Sequence, residues 1–206
     1  MQTRTELLQY LIDTFDLANY LEIGVQNRVN FDQIDCCSKA GVDPDPAANV
    51  NTMTSDEFFE RNKASEFALV FIDGLHHADQ VKKDFDNSLR LLTDNGFIVL
   101  HDALPLEEIH ARVPRESKLW CGDVYKFIFK LNEYDGINFI TCNFDHGCVV
   151  VWKDAAAKGR PMPEEIDWNY YLQNKDQLRI VEADKVELVL SAIGQRSISS
   201  SSPVNM

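Results

Sequence analysis

Basic residues are scarce in this 206-residue chain: 20 lysines and arginines face 33 aspartates and glutamates, giving a formal net charge of −13. Gripping phosphate backbones takes clustered cations, so the balance argues against a nucleic-acid partner and reads instead as solubility. Long apolar runs are also missing. No stretch approaches the roughly 18 consecutive apolar residues of a membrane span, so no membrane partner is expected. The first residues, Met1 to Asp16, are polar and acidic where a secretory signal needs a basic start and an apolar run, which points to a cytoplasmic protein. The five cysteines (Cys36, Cys37, Cys121, Cys142 and Cys148) make an odd number and form no C-x-x-C pair. Reduced thiols are the simplest reading, and their spacing gives no reason to expect zinc. There is no internal repeat. What remains is ordinary globular material, 45% apolar and 10% aromatic, of a length that suits one α/β domain with a small appendage.

The most informative stretch runs from Phe67 to Asp102. An apolar segment, Phe67 to Ile72, ends in Asp73-Gly74-Leu75-His76-His77, and a second, Phe97 to Leu100, ends in His101-Asp102. Both are short and rich in Val, Ile and Phe, as strands covered on both faces are. Between them Val81, Phe85, Ser88, Leu89 and Leu92 recur at helical spacing, and Asn95-Gly96 offers a stop. This is a β-α-β unit. Parallel strands finish at one edge, so Asp73, His76, His77, His101 and Asp102 should converge there, outside the carboxyl ends where open α/β sheets bind ligands.

Along the rest of the chain, Thr5 to Phe15 has the spacing of an amphipathic helix. Asn19 to Gly24 reads as a strand entering a glycine turn, followed by a helix over about residues 30–40 and a short strand stopped by Pro44 and Pro46. Asp43 stands 21 positions after Glu22 (43 − 22), a spacing at which an acid can reach the ribose of a nucleotide cofactor. Asn51 to Met53 can form a third strand, and Thr54, three residues before Glu57, fits a capping box. Trp120 to Leu131 reads as a helix burying Val124, Phe127, Ile128 and Leu131. Ile137 to Cys142 and Gly147 to Trp152 are strand-like, with a break so short that they must be antiparallel. A Gly- and Pro-containing linker, Ala155 to Pro163, leads to an acidic helical segment over about residues 164–190, broken near Asn174.

In order and wording these segments resemble the class I S-adenosylmethionine (SAM)-dependent methyltransferases. The likeness, over about residues 15–155, rests on Glu22-Ile23-Gly24-Val25, Val42-Asp43-Pro44, Thr54-Ser55-Asp56-Glu57-Phe58-Phe59, Phe71-Ile72-Asp73-Gly74-Leu75-His76 and Ile98-Val99-Leu100-His101-Asp102, with Trp120 to Lys126 as a further W-x-G-D-V-x-K match. The resemblance implies a Rossmann-like three-layer α/β/α sandwich, whose seven-stranded, mostly parallel sheet ends in an antiparallel hairpin. The expected organisation is a methyltransferase domain over residues 1–155, a helical extension over 156–195 and a disordered tail over 196–206. One departure stands out. The family's first turn is E-x-G-x-x-x-G, and Arg28 takes the last glycine position. The loop must follow another path, with Asn27 in the left-handed conformation that Asn tolerates.

By the same resemblance, the cofactor is SAM and its side of the site is Glu22, Gly24, Asn27, Asp43, Thr54, Ser55, Asp56 and Asp73. Gly24 would pass under the methionine part, Asp43 would take the ribose hydroxyls and Thr54 to Asp56 would border adenine. Asp73, His76, His101 and Asp102 are the catalytic candidates. A divalent metal on Asp73, His101 and Asp102 is a further candidate, since some related O-methyltransferases hold one at these strand ends; a histidine in the set favours a softer ion than Mg²⁺, or none. Structural roles stay open for each residue: Asp73 satisfied by backbone amides, His76 and His101 as loop ligands, Asp102 as a cap. His146 lies in the hairpin turn, where exposure is the default. The expected activity is O-methylation of a small hydroxylated acceptor such as a sugar or glycan precursor. A methyltransferase-like scaffold without catalysis is the alternative; a nicotinamide-dependent oxidoreductase is disfavoured because no G-x-G-x-x-G is present. The oligomeric state is left open.

Overall fold

The structure, a computed structural model, describes the backbone of residues 1–200 and the side chains of residues 1–193. In chain order its elements are α1 (Arg4–Phe15), β1 (Asn19–Ile23), β2 (Ser38–Asp43), β3 (Asn51–Thr52), α2 (Ser55–Arg61), β4 (Phe67–Ile72), α3 (Ala78–Leu91), β5 (Leu92–Leu100), α4 (Glu108–Ala111), α5 (Val124–Lys130), β6 (Ile137–Asn143), β7 (Cys148–Lys153), α6 (Trp168–Gln173), β8 (Ile180–Glu182) and α7 (Val186–Ser200). The strands form one sheet in the order β3-β2-β1-β4-β5-β7-β6-β8. Pairing is parallel from β3 to β5 and antiparallel on both sides of β7. The expected closing hairpin is therefore present. The strand count is corrected from seven to eight, because β8 pairs in parallel with β6 at Thr141↔Ile180 and Cys142↔Val181. A strand of three residues flanked by charge carries too little apolar pattern to be read ahead of the fold.

Alternation along the strands divides the interior into two cores. Leu21, Ile23, Val70, Ile72, Ile98 and Leu100 face one side, where α2, α3, α5 and α6 pack. Tyr20, Leu69, Phe71, Phe97 and Val99 face the other, covered by α1 and α7 through Leu7, Leu8, Leu11, Val186 and Leu190. Three layers result, as expected. No helix among the described residues is long and apolar enough to cross a membrane.

Several boundaries differ from expectation. The helix expected over residues 30–40 does not form: residues 24–37 are turns and irregular backbone, and Phe31 and Ile34 enter the second core from them. Their apolar residues imitate a helical face, but Lys39 and Ala40 are already paired to β1. Asn95-Gly96 is not the stop of α3, which ends at Leu91; both residues lie within β5. Helix α5 starts only at Val124, because Gly122 at φ +61° breaks the run. The helical extension over residues 156–195 contributes β8 to the sheet as well as α6 and α7. Of the tail expected from residue 196, α7 continues through Ser200 and residues 201–206 lie outside the described residues.

At α2 the expected capping box is present: Thr54 Oγ1 accepts the Glu57 N–H at 3.2 Å, and Glu57 Oε2 accepts the Thr54 N–H at 3.0 Å. Replacing Thr54 by alanine should cost about 1 kcal/mol of stability. Urea unfolding would measure it, and an unchanged midpoint would remove the cap from the account.

Candidate active site

β4 and β5 are register neighbours to their last residues, Ile72↔Leu100, so the chain leaves both strands side by side at the carboxyl edge. Of the five residues expected there, four meet; His77 instead sets its ring edge-on to Trp120 at 6.1 Å. His101 Nδ1 lies 3.2 Å from Asp73 Oδ1 and 3.2 Å from Asp102 Oδ2. His76 Nδ1 is 3.3 Å from Asp102 Oδ2, and His76 Nε2 is 3.5 Å from Asp73 Oδ1. Asp102 takes φ +60°, a left-handed conformation that aspartate tolerates better than most residues and that turns its carboxylate back toward the histidines. It caps no helix: α4 has no side-chain cap.

Two further residues complete this edge, and the sequence pattern revealed neither. Arg4, at the start of α1, places Nη1 2.7 Å from Asp73 Oδ2 and 3.0 Å from His101 Nδ1. Asp145, in the β6–β7 turn, has Oδ1 3.4 Å from His101 Nε2 and accepts the Arg4 N–H on Oδ2 at 2.9 Å. A signal for Asp145 existed. A strand antiparallel to β5 must begin at β5's carboxyl edge, as Leu100↔Val149 shows, so the turn before it belongs to the site. That turn carries positive φ at Asp145, His146 and Gly147 in succession. His146, expected on the surface, is half-buried with its ring 6.5 Å from that of His101. For Arg4 no pattern pointed inward.

The electrostatics follow from the crowding. Burial opposes ionisation of Asp73, but His101, His76 and Arg4 outweigh it and hold its carboxyl below the usual range. Burial likewise opposes charge on His101, and Asp73, Asp102 and Asp145 together raise its pKa well above that of a free imidazole. His76 is raised in the same way: burial lowers it, while Asp73, Asp102 and the Trp120 carbonyl prevail. Asp145 drops to about 2, burial being overcome by His101 and Arg4. Of the two histidines only His76 is reachable, with 21% of its side chain exposed against 3% for His101.

Residues 120–123 hold His76 in place. Trp120 stacks on its ring at 5.1 Å and 22°, and the Trp120 carbonyl lies 3.0 Å from Nδ1. Gly122 passes so close that a Cβ there would sit 1.8 Å from the His76 carbonyl oxygen. Asp123 accepts the Ala78 N–H at 2.8 Å, capping α3 from outside because His77 offers no side-chain cap. The W-x-G-D residues thus support the histidine. Beside them a groove of about 740 Å³ is lined by Leu75, His77, Val113, Asp123, Lys126 and Tyr134, among others.

On the β1–β3 side, the polar residues expected at the cofactor have internal partners. Glu22 is 2% exposed, and its Oε2 accepts from Tyr20 Oη at 2.6 Å and Asn30 Nδ2 at 2.9 Å. Asn30 in turn bonds Thr5 of α1, which ties down the loop that lacks a helix. Asn27 is not left-handed; Gln26 (φ +49°) and Arg28 (φ +64°) are. Arg28 binds the carbonyls of Ala48 and Asn49 at 3.0 Å and the Asp32 carboxylate at 2.6 Å, so its side chain closes the loop where the family pattern has glycine. Asp43 accepts Gln26 N–H on one oxygen at 2.7 Å and Asp45 N–H on the other at 2.8 Å. A carboxylate offers about four acceptor positions, so each oxygen keeps one for a hydroxyl. Ser55 Oγ and Asp56 Oδ1 both accept from Gln80 Nε2, joining α2 to α3.

Burial raises the Glu22 carboxyl from 4.5 to about 7, against the opposing bonds from Tyr20 and Asn30. The folded state then binds the proton more tightly than the unfolded one, so Glu22's contribution is fully present below pH 4.5 and is lost as pH rises through 7. Glu22→Gln removes that titration. Relative to the parent it should gain about 2–3 kcal/mol between pH 5 and pH 8. Equal offsets in unfolding free energy at both pH values would contradict this.

Comparison with known proteins agrees with the geometry. Residues 11–103 match a family model described as a methyltransferase domain. Among solved structures, a putative caffeoyl-CoA O-methyltransferase from Staphylococcus aureus superposes with a TM-score of 0.55 at 20% identity, over 73% of this chain and 82% of that one. An O-methyltransferase from Bacillus cereus, in complex with S-adenosylhomocysteine (SAH), gives 0.53 at 14% identity over 73% and 80%. An SAH-bound methyltransferase from Podospora anserina gives 0.52 at 18% identity over 75% and 80%. At these identities the likeness is one of fold. No curated protein sequence matches the chain.

Proposed function

We propose, from the premise that this chain belongs to the class I methyltransferases, that it moves the methyl group of SAM to an oxygen of a small hydroxylated acceptor such as a sugar or glycan precursor. One observation carries the reading: a reachable histidine, His76, is held between two carboxylates at the β4–β5 edge, next to the switch point of the sheet. Between β1 and β4 the strand order reverses, and the crevice at such a point is where α/β sheets take nucleotides.

The residues present fit the cofactor. Asp43, at the end of β2, has an acceptor position free on each oxygen for the two ribose hydroxyls. SAM, when bound, supplies an electrophilic methyl on a sulfonium, so the chain's own task is to align the acceptor and take its proton. His76 receives that proton. Asp102 and Asp73 fix its ring from either side, Trp120 holds its face, and the imidazolium that forms is stabilised by the same carboxylates. Arg4 keeps Asp73 ionised. The acceptor lies in the groove past Leu75 and His77, where Lys82, Lys126 and Lys130 offer donors to hydroxyl oxygens.

One observation favours a second reading, a methyltransferase-like protein without catalysis: the first loop has no helix, and Arg28 straps it to the turn after β2. Calorimetric titration separates the two. SAM and SAH should bind, and Asp43→Ala should weaken both by about 10–100-fold through the loss of two hydrogen bonds. Binding of neither ligand would leave the non-catalytic reading, and binding of NAD alone would overturn methyl transfer.

A further inference from the structure

His101 has two nitrogens, and they face different company. Nδ1 lies 3.2 Å from a carboxylate oxygen of Asp73 and 3.2 Å from one of Asp102. Nε2 points the other way, buried and without a hydrogen-bond partner. Asp145 Oδ1 is 3.4 Å from it, near enough for an ion pair but not aligned for a hydrogen bond. The residue as a whole is 4% exposed, so no bulk solvent satisfies that nitrogen. An unpaired polar atom at such depth costs roughly 1–3 kcal/mol and calls for an explanation.

Cys148 supplies one. It is fully buried at the start of β7, and its Sγ, a ring nitrogen of His101 and a carboxylate oxygen of Asp145 all lie within 4.8 Å of one another; Nε2 is the nitrogen on the Asp145 side. We propose that His101, Asp145 and Cys148 form a site for a zinc-class divalent cation. Two ligands at about 2.0 Å from a tetrahedral ion stand about 3.3 Å apart, close to the observed nitrogen-to-oxygen separation. The sulfur, within 4.8 Å of both, has at most about 1.3 Å to close. Imidazole and thiolate select zinc, cobalt and their neighbours over Mg²⁺, which takes oxygen ligands.

The surroundings match what such sites require. A metal-binding histidine commonly donates its second N–H to a carboxylate, which fixes the tautomer and raises its basicity. Two acceptor oxygens flank Nδ1 here, and Arg4 Nη1, which can only donate, lies on the same nitrogen; with the cation on Nε2 the ring proton sits on Nδ1 toward the carboxylates and Arg4 turns wholly to Asp73. Arg4 Nη1, 3.0 Å from Nδ1, bonds Asp73 Oδ2 at 2.7 Å. On binding, the cation replaces the proton on Nε2 and the proton on Cys148 Sγ, and both go to solvent; no oxidant or reductant is involved. The set differs from the expected one of Asp73, His101 and Asp102: Asp73 and Asp102 move to the outer layer, and Asp145 and Cys148 take their places. Cysteine spacing could not reveal it, since only one cysteine takes part.

The inference does not depend on methyl transfer and is tested without SAM. The full-length chain, stripped with a chelator, is titrated with Co²⁺ and followed by absorbance. One equivalent should bind with a near-ultraviolet thiolate-to-cobalt band, and Zn²⁺ should displace it. Cys148→Ser should abolish the band, whereas Cys37→Ser, at an exposed thiol, should keep it. Asp145→Asn, a milder change at a half-buried side chain, should weaken binding by about tenfold or more, and Asp73→Asn by about 10–100-fold through the outer layer. A band that survives Cys148→Ser, affinity unchanged in Asp145→Asn, or no stoichiometric binding by the folded parent would each overturn the proposal.

Discussion

Asp73→Asn should lower kcat/KM for methyl transfer by about 10²–10⁴-fold, the range in which a positioned proton-transfer group contributes, while SAM affinity changes little. The carboxylate sits 3.5 Å from His76 Nε2, 3.2 Å from His101 Nδ1 and 2.7 Å from Arg4 Nη1, and among the described residues it is the acid that touches all three. Asparagine keeps the shape but removes the charge that orients and stabilises the imidazolium of His76. It also strips Arg4 and His101 of a counter-ion. Breaking one side of a buried ion cluster costs about 3–5 kcal/mol, so the variant's melting temperature must be measured beside its rate. Arg4→Met in the Asp73→Asn background removes a cation left with Asp145 alone, 3.4 Å from its Nε, and should recover part of the stability without recovering the rate. Loss of SAM binding in a folded Asp73→Asn protein would assign the residue to the cofactor instead, and a full rate would remove it from the mechanism.

Much of this edge was legible in the sequence because parallel topology is restrictive. Once Phe67 to Ile72 and Phe97 to Leu100 are strands with a helix between them, their following residues have one place to go, and Asp73, His76, His101 and Asp102 do meet there. Capping chemistry was equally readable at Thr54, since it is local. Arg4 and Asp145 were not readable in that way. Arg4 reaches Asp73 and His101 across 69 and 97 positions, and Asp145 comes from a turn whose side-chain direction depends on three successive positive φ values. The helix expected over residues 30–40 failed for a related reason. Apolar spacing at Phe31 and Ile34 was satisfied by irregular backbone held through Asn30, Glu22 and Arg28, a set of side-chain bonds that no periodicity encodes.

At Gly24 the structure sets a constraint of its own beside the one that the resemblance implies. By resemblance its lack of a side chain serves close approach of SAM. In the structure the constraint is internal: Gly24 takes φ +87°, and a Cβ there would lie 2.2 Å from the Asp73 carbonyl oxygen and 2.5 Å from Gly74 Cα. All of these atoms are backbone, so no rotamer change relieves the overlap. Gly24→Ala should therefore destabilise the fold by about 3 kcal/mol or more, combining the positive-φ penalty with forced separation of the β1 and β4 ends. For a chain of this size that is a fall in Tm of about 6–12 °C. Gly136 provides the contrast. It has φ +75°, but a Cβ there would meet nothing within 4 Å, so Gly136→Ala should cost only the conformational part, about 1 kcal/mol. The difference between the two variants measures the crossing of residue 24 over Asp73, and with it the rigidity of the point where the proposed cofactor and acceptor halves of the site meet. If Gly24→Ala melts with the parent and only SAM affinity falls, the internal account is wrong and the glycine serves the ligand alone.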